Sequence, residues 1–283
     1  FLKNKSITVC VAMGIPARIF ATMLRISPGR MRNWMWKWWY QRLAKAHERG
    51  DFRFMNYGYK DNEELKLSKE DEPNRLFIQL YNMNIRDVNL NGKEVVEVGS
   101  GRGGGASWIA RTYEPKKLIG FDFSKDAVGL ANEWYTSQEN LSFEVGNAEN
   151  LPLDDNSQDV IYNVESSHCY GNVGAFVKEV YRSLRTGGNF CWTDFRDKPT
   201  MEKLHDIFVD SGFQIVSNRE ITSEVLVALD EINESKVQRI GESVPRTMRK
   251  SFETFAGVQG TPVYEAFKNG NLHYHRYLMV KPG

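Results

Sequence analysis

The side chains able to do chemistry collect in a few short stretches. Residues 95–105, VVEVGSGRGGG, place one acid, Glu97, two positions before a series of glycines that includes Gly99, Gly101 and Gly103. Residues 163–170, NVESSHCY, carry a carboxylate, Glu165, three positions before an imidazole, His168. Between the two stretches, Asp122 closes an apolar run and Asn147 and Ala148 sit in a second turn. Glycines at this density let backbone approach a ligand closely. A carboxylate at a strand end suits the two hydroxyls of a ribose, and an amide side chain pairs with the edge of adenine. An imidazole that titrates near neutrality can take the proton of a hydroxyl. Together these residues predict a nucleotide-type cofactor held beside a proton-transfer group.

Which cofactor is a sharper question, because Gly99-x-Gly101-x-x-Gly104 also satisfies the fingerprint of dinucleotide binding. Glu97 and the additional Gly103 favour S-adenosylmethionine over NAD. A carboxylate repels a pyrophosphate, whereas it can hold, directly or through water, the ammonium of an amino-acid moiety. The bland readings are a ligand-free strand-to-helix turn at the glycines, a helix-capping aspartate at 122, an Asn-rich turn at 147 and a merely packed histidine at 168. Ser100, Phe123 and Asn163 adjoin these motifs and join them as expected cofactor contacts.

The elements that position them follow from periodicity. Strands are expected at 95–98, 117–121, 141–145, 159–164 and 189–194, with helices at 106–113, 124–134 and 175–184 between them. Alternating strand and helix predicts a parallel sheet covered on both faces. In such sheets ligands bind beyond the carboxyl ends of the strands, where Glu165, Ser166, Ser167, His168 and Asp194 fall. A helix at 200–211, a strand at 213–218 and a last, antiparallel strand at 272–280 complete the pattern. Residues 221–271 then form an insertion with helical stretches at 224–240 and 245–255, suited to a substrate cap. Tyr57 and Tyr59, in an aromatic loop before the first strand, together with Tyr170 and Asp194, are candidate substrate contacts.

Composition narrows the class. The chain has 283 residues and a net charge of +1, enough length for one domain with embellishments. Residues 1–50 carry ten Lys and Arg against a single acid, Glu48, so the remainder is net acidic, which argues against a nucleic-acid partner. Three cysteines without metal-type spacing point to a reducing, cytoplasmic setting and no structural metal; His273 and His275 share a strand face but lack further ligands. Residues 7–24 are apolar but interrupted by Pro16 and Arg18, too short a run for a membrane span. The Trp-rich segment at 31–40 and its flanking bases suit a helix at a membrane surface, giving peripheral contact through residues 7–45; packing on the main domain is the alternative. Residues 1–50 thus read as an N-terminal helical appendage and 51–283 as the main domain.

The motifs VEVGSGRGGG, IGFD, GNAENLP and LRTGG resemble those of class I S-adenosylmethionine-dependent methyltransferases. FMNYGY, DEPNRLFIQLY, GRGGGASW, NVESSHCY and GVQGT are similar to a narrower group, the mycobacterial phthiotriolone and phenolphthiotriolone dimycocerosate methyltransferases, which O-methylate a hydroxyl of a long lipid. Polyketide O-methyltransferases and, more distantly, sterol C-methyltransferases share parts of the pattern. The resemblance implies a Rossmann-like α/β fold with a seven-stranded, mostly parallel sheet. It further implies that Glu97, Gly99, Gly101 and Gly103 surround the methionine part of the cofactor, Asp122 the ribose, and Asn147 with Ala148 the adenine. His168, in SHCY, becomes the expected base, with Glu165 orienting it or binding substrate. Two departures stand out: Asn147 replaces the group's usual aspartate, and the basic N-terminus is longer than in the bacterial relatives.

The expected reaction is therefore methyl transfer to a hydroxyl of a hydrophobic small molecule, by in-line displacement, without metal. C-methylation of a sterol or terpene alkene, a non-catalytic binding protein on the same fold, and an NAD-dependent dehydrogenase are the competing functions.

Overall fold

The computed structural model describes residues 52–63, 65–244 and 246–283. The expectations for residues 1–50, the appendage and its membrane contact, lie outside the described residues. Among these, no helix is long and apolar enough to cross a membrane.

Seven strands form one sheet in the order β3-β2-β1-β4-β5-β7-β6. β1 (Glu94–Val98), β2 (Lys117–Asp122), β3 (Leu141–Val145), β4 (Gln158–Val164) and β5 (Leu184–Arg196) run parallel, and β7 (His273–Val280) pairs antiparallel with both β5 and β6 (Gln214–Glu220). Central β1 is covered on both faces, which is why its sequence is a nearly unbroken apolar run. Alternation sends Val95 towards Tyr81 and Tyr162 in one core, and Val96 and Val98 towards Phe176 and Trp192 in the other. Glu97, on the first of these faces, is the exception to the apolar pattern.

Helices cover both faces. α1 (Arg75–Ile85) and α2 (Gly104–Tyr113) precede and follow β1, and α3 (Lys125–Trp134) follows β2. α4 (Val173–Ser183) links β4 to β5, and α5 (Lys198–Asp210) links β5 to β6. Their starts are set by side-chain caps: Ser124 accepts from Ala127 N–H, Asn172 from Ala175 N–H and Asp197 from Thr200 N–H. Each cap contributes about 1 kcal/mol.

Between β6 and β7 lie four helices, α6 (Thr222–Glu231), α7 (Asn233–Ser243), α8 (Arg246–Phe255) and α9 (Pro262–Lys268). The sequence predicts two helical stretches here, and the first of them is divided. Its break at Ile232 contains neither Gly nor Pro; Ile232 N–H closes the end of α6 on Ala228 C=O, and Asn233 Oδ1 accepts Gln259 N–H at 3.0 Å. A tertiary contact replaces the local breaker, so the turn carries no sequence signal.

Candidate active site

A cavity opens over the carboxyl ends of β1, β2 and β4, where the strand order reverses between β1 and β4. Its walls include Gly99, Ser100 and Gly101 from the loop after β1, Asp122 and Phe123 after β2, and Asn147 and Ala148 after β3. The segment after β4 adds Glu165, Ser166, His168, Cys169 and Tyr170, and Tyr57 closes the cavity from the N-terminal side.

The glycine loop is shaped by contact. Gly99 has φ 82°, and a Cβ there would lie 2.2 Å from Ser166 Oγ. Its N–H and that of Ser100 donate to Phe121 C=O, tying the loop to β2. Asp122 Oδ2 accepts Gly101 N–H at 2.8 Å and Oδ1 accepts Ser124 N–H at 2.8 Å, so the carboxylate is held at the cavity edge by backbone. Burial nevertheless moves the Asp122 carboxyl above the ordinary aspartate range. Phe123 stands 39% exposed beside it.

On the opposite wall, His168 Nδ1 lies 2.8 Å from Asp194 Oδ1, while Asp194 Oδ2 accepts both His168 N–H, at 2.9 Å, and Ser167 Oγ–H, at 2.8 Å. Arg196 flanks the same carboxylate at 3.2 Å. Burial raises the cost of the Asp194 charge, but Arg196 and His168 outweigh it and hold the carboxyl far below the usual range. Burial alone would lower the His168 pKa; Cys169 and Asp194 at the ring reverse this and carry it well above the ordinary histidine value. A carboxylate can only accept, so Nδ1 carries the proton and Nε2 is the atom left to receive one from a substrate.

Residues 96–192 match the family model described as a methyltransferase domain. The phthiotriol/phenolphthiotriol dimycocerosates methyltransferase of Mycobacterium leprae (strain TN) is 34% identical over 249 residues, which span 87% of this chain and 92% of that protein. The fatty-acid O-methyltransferase of Mycolicibacterium smegmatis is 32% identical over 245 residues, covering 86% of this chain and 88% of that one. The chain belongs to this methyltransferase family. Its fold is also that of the geranyl diphosphate C-methyltransferase of Streptomyces coelicolor A3(2), solved with Mg2+, geranyl diphosphate and S-adenosyl-L-homocysteine. That structure has TM-score 0.61 and 16% identity, covering 86% of this chain and 97% of that one.

This methyltransferase uses S-adenosylmethionine, and its cavity fits that cofactor. The close approach at Gly99, the backbone-held Asp122 carboxylate, the exposed Phe123 ring and the Asn147–Ala148 turn stand on one cavity and are the groups that would hold the cofactor. The third glycine of the dinucleotide fingerprint, Gly104, is backed by the chain itself: a Cβ there would lie 2.5 Å from Arg53 C=O.

Several expected residues are placed elsewhere. Glu97 does not line the cavity; it is fully buried, with Tyr81 OH at 3.0 Å and Tyr162 OH at 3.1 Å from its two oxygens. Burial pushes its carboxyl up to about 8. Strand alternation turns it to the α1 side of the sheet, where it accepts from Tyr81, itself on the cavity wall, and from Tyr162. Asn163, an expected cofactor contact, is likewise fully buried and off the cavity wall; it donates to Val98 C=O at 2.7 Å and to Ser166 Oγ at 2.7 Å. Gly103 lies off the wall as well, capping α2 at φ 79°. Tyr59 packs in the core, off the cavity, and Asp194 is fully buried behind His168 instead of meeting substrate.

Glu165 and Asp194 therefore exchange the roles that position suggested. Asp194, not Glu165, orients His168. Glu165 lines the cavity with φ 49°, and its Oε2 accepts Tyr57 N–H at 2.7 Å and Tyr274 OH at 3.0 Å. Burial lifts its pKa to about 8, so it is a neutral acid at pH 7. His273 and His275 bond to Glu220 and Asn218, and no metal-type cluster occurs among the described residues. The sequence reading missed Met55 and Arg102, both on the cavity wall. Arg102 stands inside the glycine motif itself, where its charge was the available signal.

Proposed function

We propose that this methyltransferase transfers a methyl group to a hydroxyl oxygen of a hydrophobic small molecule, with His168 as general base. The observation that carries this reading is the Asp194-held His168 ring opening onto the same cavity as the glycine loop and Asp122. When bound, S-adenosylmethionine supplies a sulfonium-activated methyl group. His168 Nε2 accepts the hydroxyl proton while the acceptor oxygen forms its new bond to carbon, and the imidazolium is stabilised by Asp194. Tyr57, stacked on Phe195 at 5.5 Å, narrows the entrance and limits water near the reacting oxygen. The relatives named for dimycocerosates and for fatty-acid O-methylation support a lipid-like acceptor. Helices α6 to α9 act as the substrate cap; Phe255 of α8 already reaches the cavity wall.

Titration calorimetry with S-adenosylmethionine and its demethylated product, paired with turnover on hydroxylated lipids, tests this. His168→Ala is expected to keep cofactor affinity within about twofold and to lose about 10²-fold or more in turnover. Undiminished turnover removes His168 from the mechanism.

C-methylation of an alkene draws on the aromatic wall of Tyr57, Tyr170 and Phe255, which suits a carbocation. It is the weaker reading, because a relative 32% identical over 245 residues is named for O-methylation. Methyl on carbon in the product would establish it.

A further inference from the structure

A second cavity adjoins the first and shares Met55, Asn56, Tyr57, Arg102 and Phe255 with it. Its body is apolar, built by Phe52, Phe54, Phe77 and Ile240 among others, and α7 and α8 form the far side. Three basic side chains line it, Arg102, Lys236 and Arg239, and no acid does so among the described residues; burial moves the Lys236 ammonium down to about 7, so an anion beside it would favour its charged form. Lys236 and Arg239 fall on one face of α7 with Ile232 and Ile240, a helical spacing that aims them into the cavity.

The surroundings of these cations are unusual for bases that only meet solvent. Lys236 Nζ lies 5.6 Å from the Tyr57 ring and 5.8 Å from the Phe77 ring, and donates to Ala256 C=O at 2.9 Å. Arg239 makes no hydrogen bond or ion pair among the described residues. A neutral acyl chain filling this space would strip water from the cations without replacing it, which is costly. An anion would offset that cost through charge-assisted hydrogen bonds.

We propose that the second cavity seats an anionic group of the acceptor, a carboxylate or a phosphate monoester, apart from the oxygen that is methylated. The inference rests on the methyltransferase reading and deepens it. Neither Lys236 nor Arg239 lines the first cavity, and His168 does not line the second. The acceptor is thus an amphiphile whose hydroxyl meets His168 while its charge is held under the cap, with the Met55–Tyr57 segment running between the two.

Three probes separate the possibilities: 12-hydroxydodecanoate, 12-hydroxydodecyl phosphate and 1,12-dodecanediol, titrated into the full chain saturated with S-adenosylhomocysteine. At least one anion is expected to bind about tenfold or more tightly than the diol, and the better of the two identifies the group. Arg239→Gln with Lys236→Gln is expected to abolish that preference while S-adenosylhomocysteine affinity and the melting temperature stay near those of the parent. Equal binding of acid, phosphate and diol, no binding of any of them, or a preference that survives the double substitution overturns the anion site. The methyltransferase reading fails separately, by loss of S-adenosylhomocysteine binding in the parent chain. A methyl ester product from the hydroxy acid, instead of a methyl ether, overturns the separation of anion and methylated oxygen.

Discussion

Asp194 Oδ1 sits 2.8 Å from His168 Nδ1 across two different strand ends, and this contact sets the imidazole tautomer and, with Cys169, raises its pKa. The ring pKa is raised above the ordinary histidine value by Cys169 and Asp194, so His168 becomes a competent base only as pH rises through its own pKa. kcat/KM is therefore expected to climb with pH on the alkaline side of the ordinary histidine pKa of about 6.5. Asp194→Asn removes part of the support for the charged ring, shifting the climb to lower pH while lowering the plateau about 10²-fold or more. A pH–rate profile of both proteins checks this; an unmoved profile would detach Asp194 from the base.

Asp122 is the cofactor residue whose loss is expected to show most clearly in binding. Asp122→Ala removes the acceptor of Gly101 N–H and, if the carboxylate holds the ribose as proposed, of its hydroxyls, so affinity for S-adenosylmethionine should fall by about 10-fold or more. Asp122→Asn keeps one acceptor oxygen and should fall less. Calorimetry on both, alongside thermal melts, distinguishes a lost contact from a disordered loop.

Gly99 tests the shape of the cradle. Gly99→Ala places a methyl 2.2 Å from Ser166 Oγ at φ 82°, and the backbone strain alone costs about 1–2 kcal/mol. Cofactor binding should be lost. Adding Ser166→Gly removes the closest contacts but leaves the Tyr170 hydroxyl at 2.9 Å and the backbone strain, so partial recovery of affinity is the expected result for the double variant.

Glu97 sets a stability prediction of opposite character. Its folded-state pKa of about 8 lies above the unfolded value, so the folded chain holds the proton more tightly. That contribution is present below about pH 4.5 and is lost as pH rises through about 8. Glu97→Gln keeps an acceptor for the tyrosine hydroxyls and removes the ionisation. Thermal melts at pH 5 and pH 8 should differ less in the variant than in the parent. A residual slope is expected from Glu165, which is raised to about 8 for the same reason, burial.

The sequence by itself determined the frame of this protein. Strands β2 and β3 begin and end within a residue of their expected bounds, and β7 returns antiparallel as expected, because each is a short apolar or alternating segment bounded by turn residues. The glycine loop and Asp122 were legible for the same reason: backbone approach and a strand-end acid are local features. Only the tertiary structure decided which carboxylate serves His168. The pairing of Val164 with Thr193 brings Glu165 and Asp194, 29 positions apart in the chain, to the same end of the sheet. Side-chain direction then turned Asp194 under the imidazole and Glu165 towards Tyr57 and Tyr274, each more than 100 positions away. The same alternation buried Glu97 among tyrosines, since a one-residue step along β1 exchanges the faces of the sheet. The cations of the second cavity were equally silent in sequence. Lys236 and Arg239 read as an ordinary charged helix face until α7 is folded over Phe77 and Tyr57, where apolar walls change what those charges require.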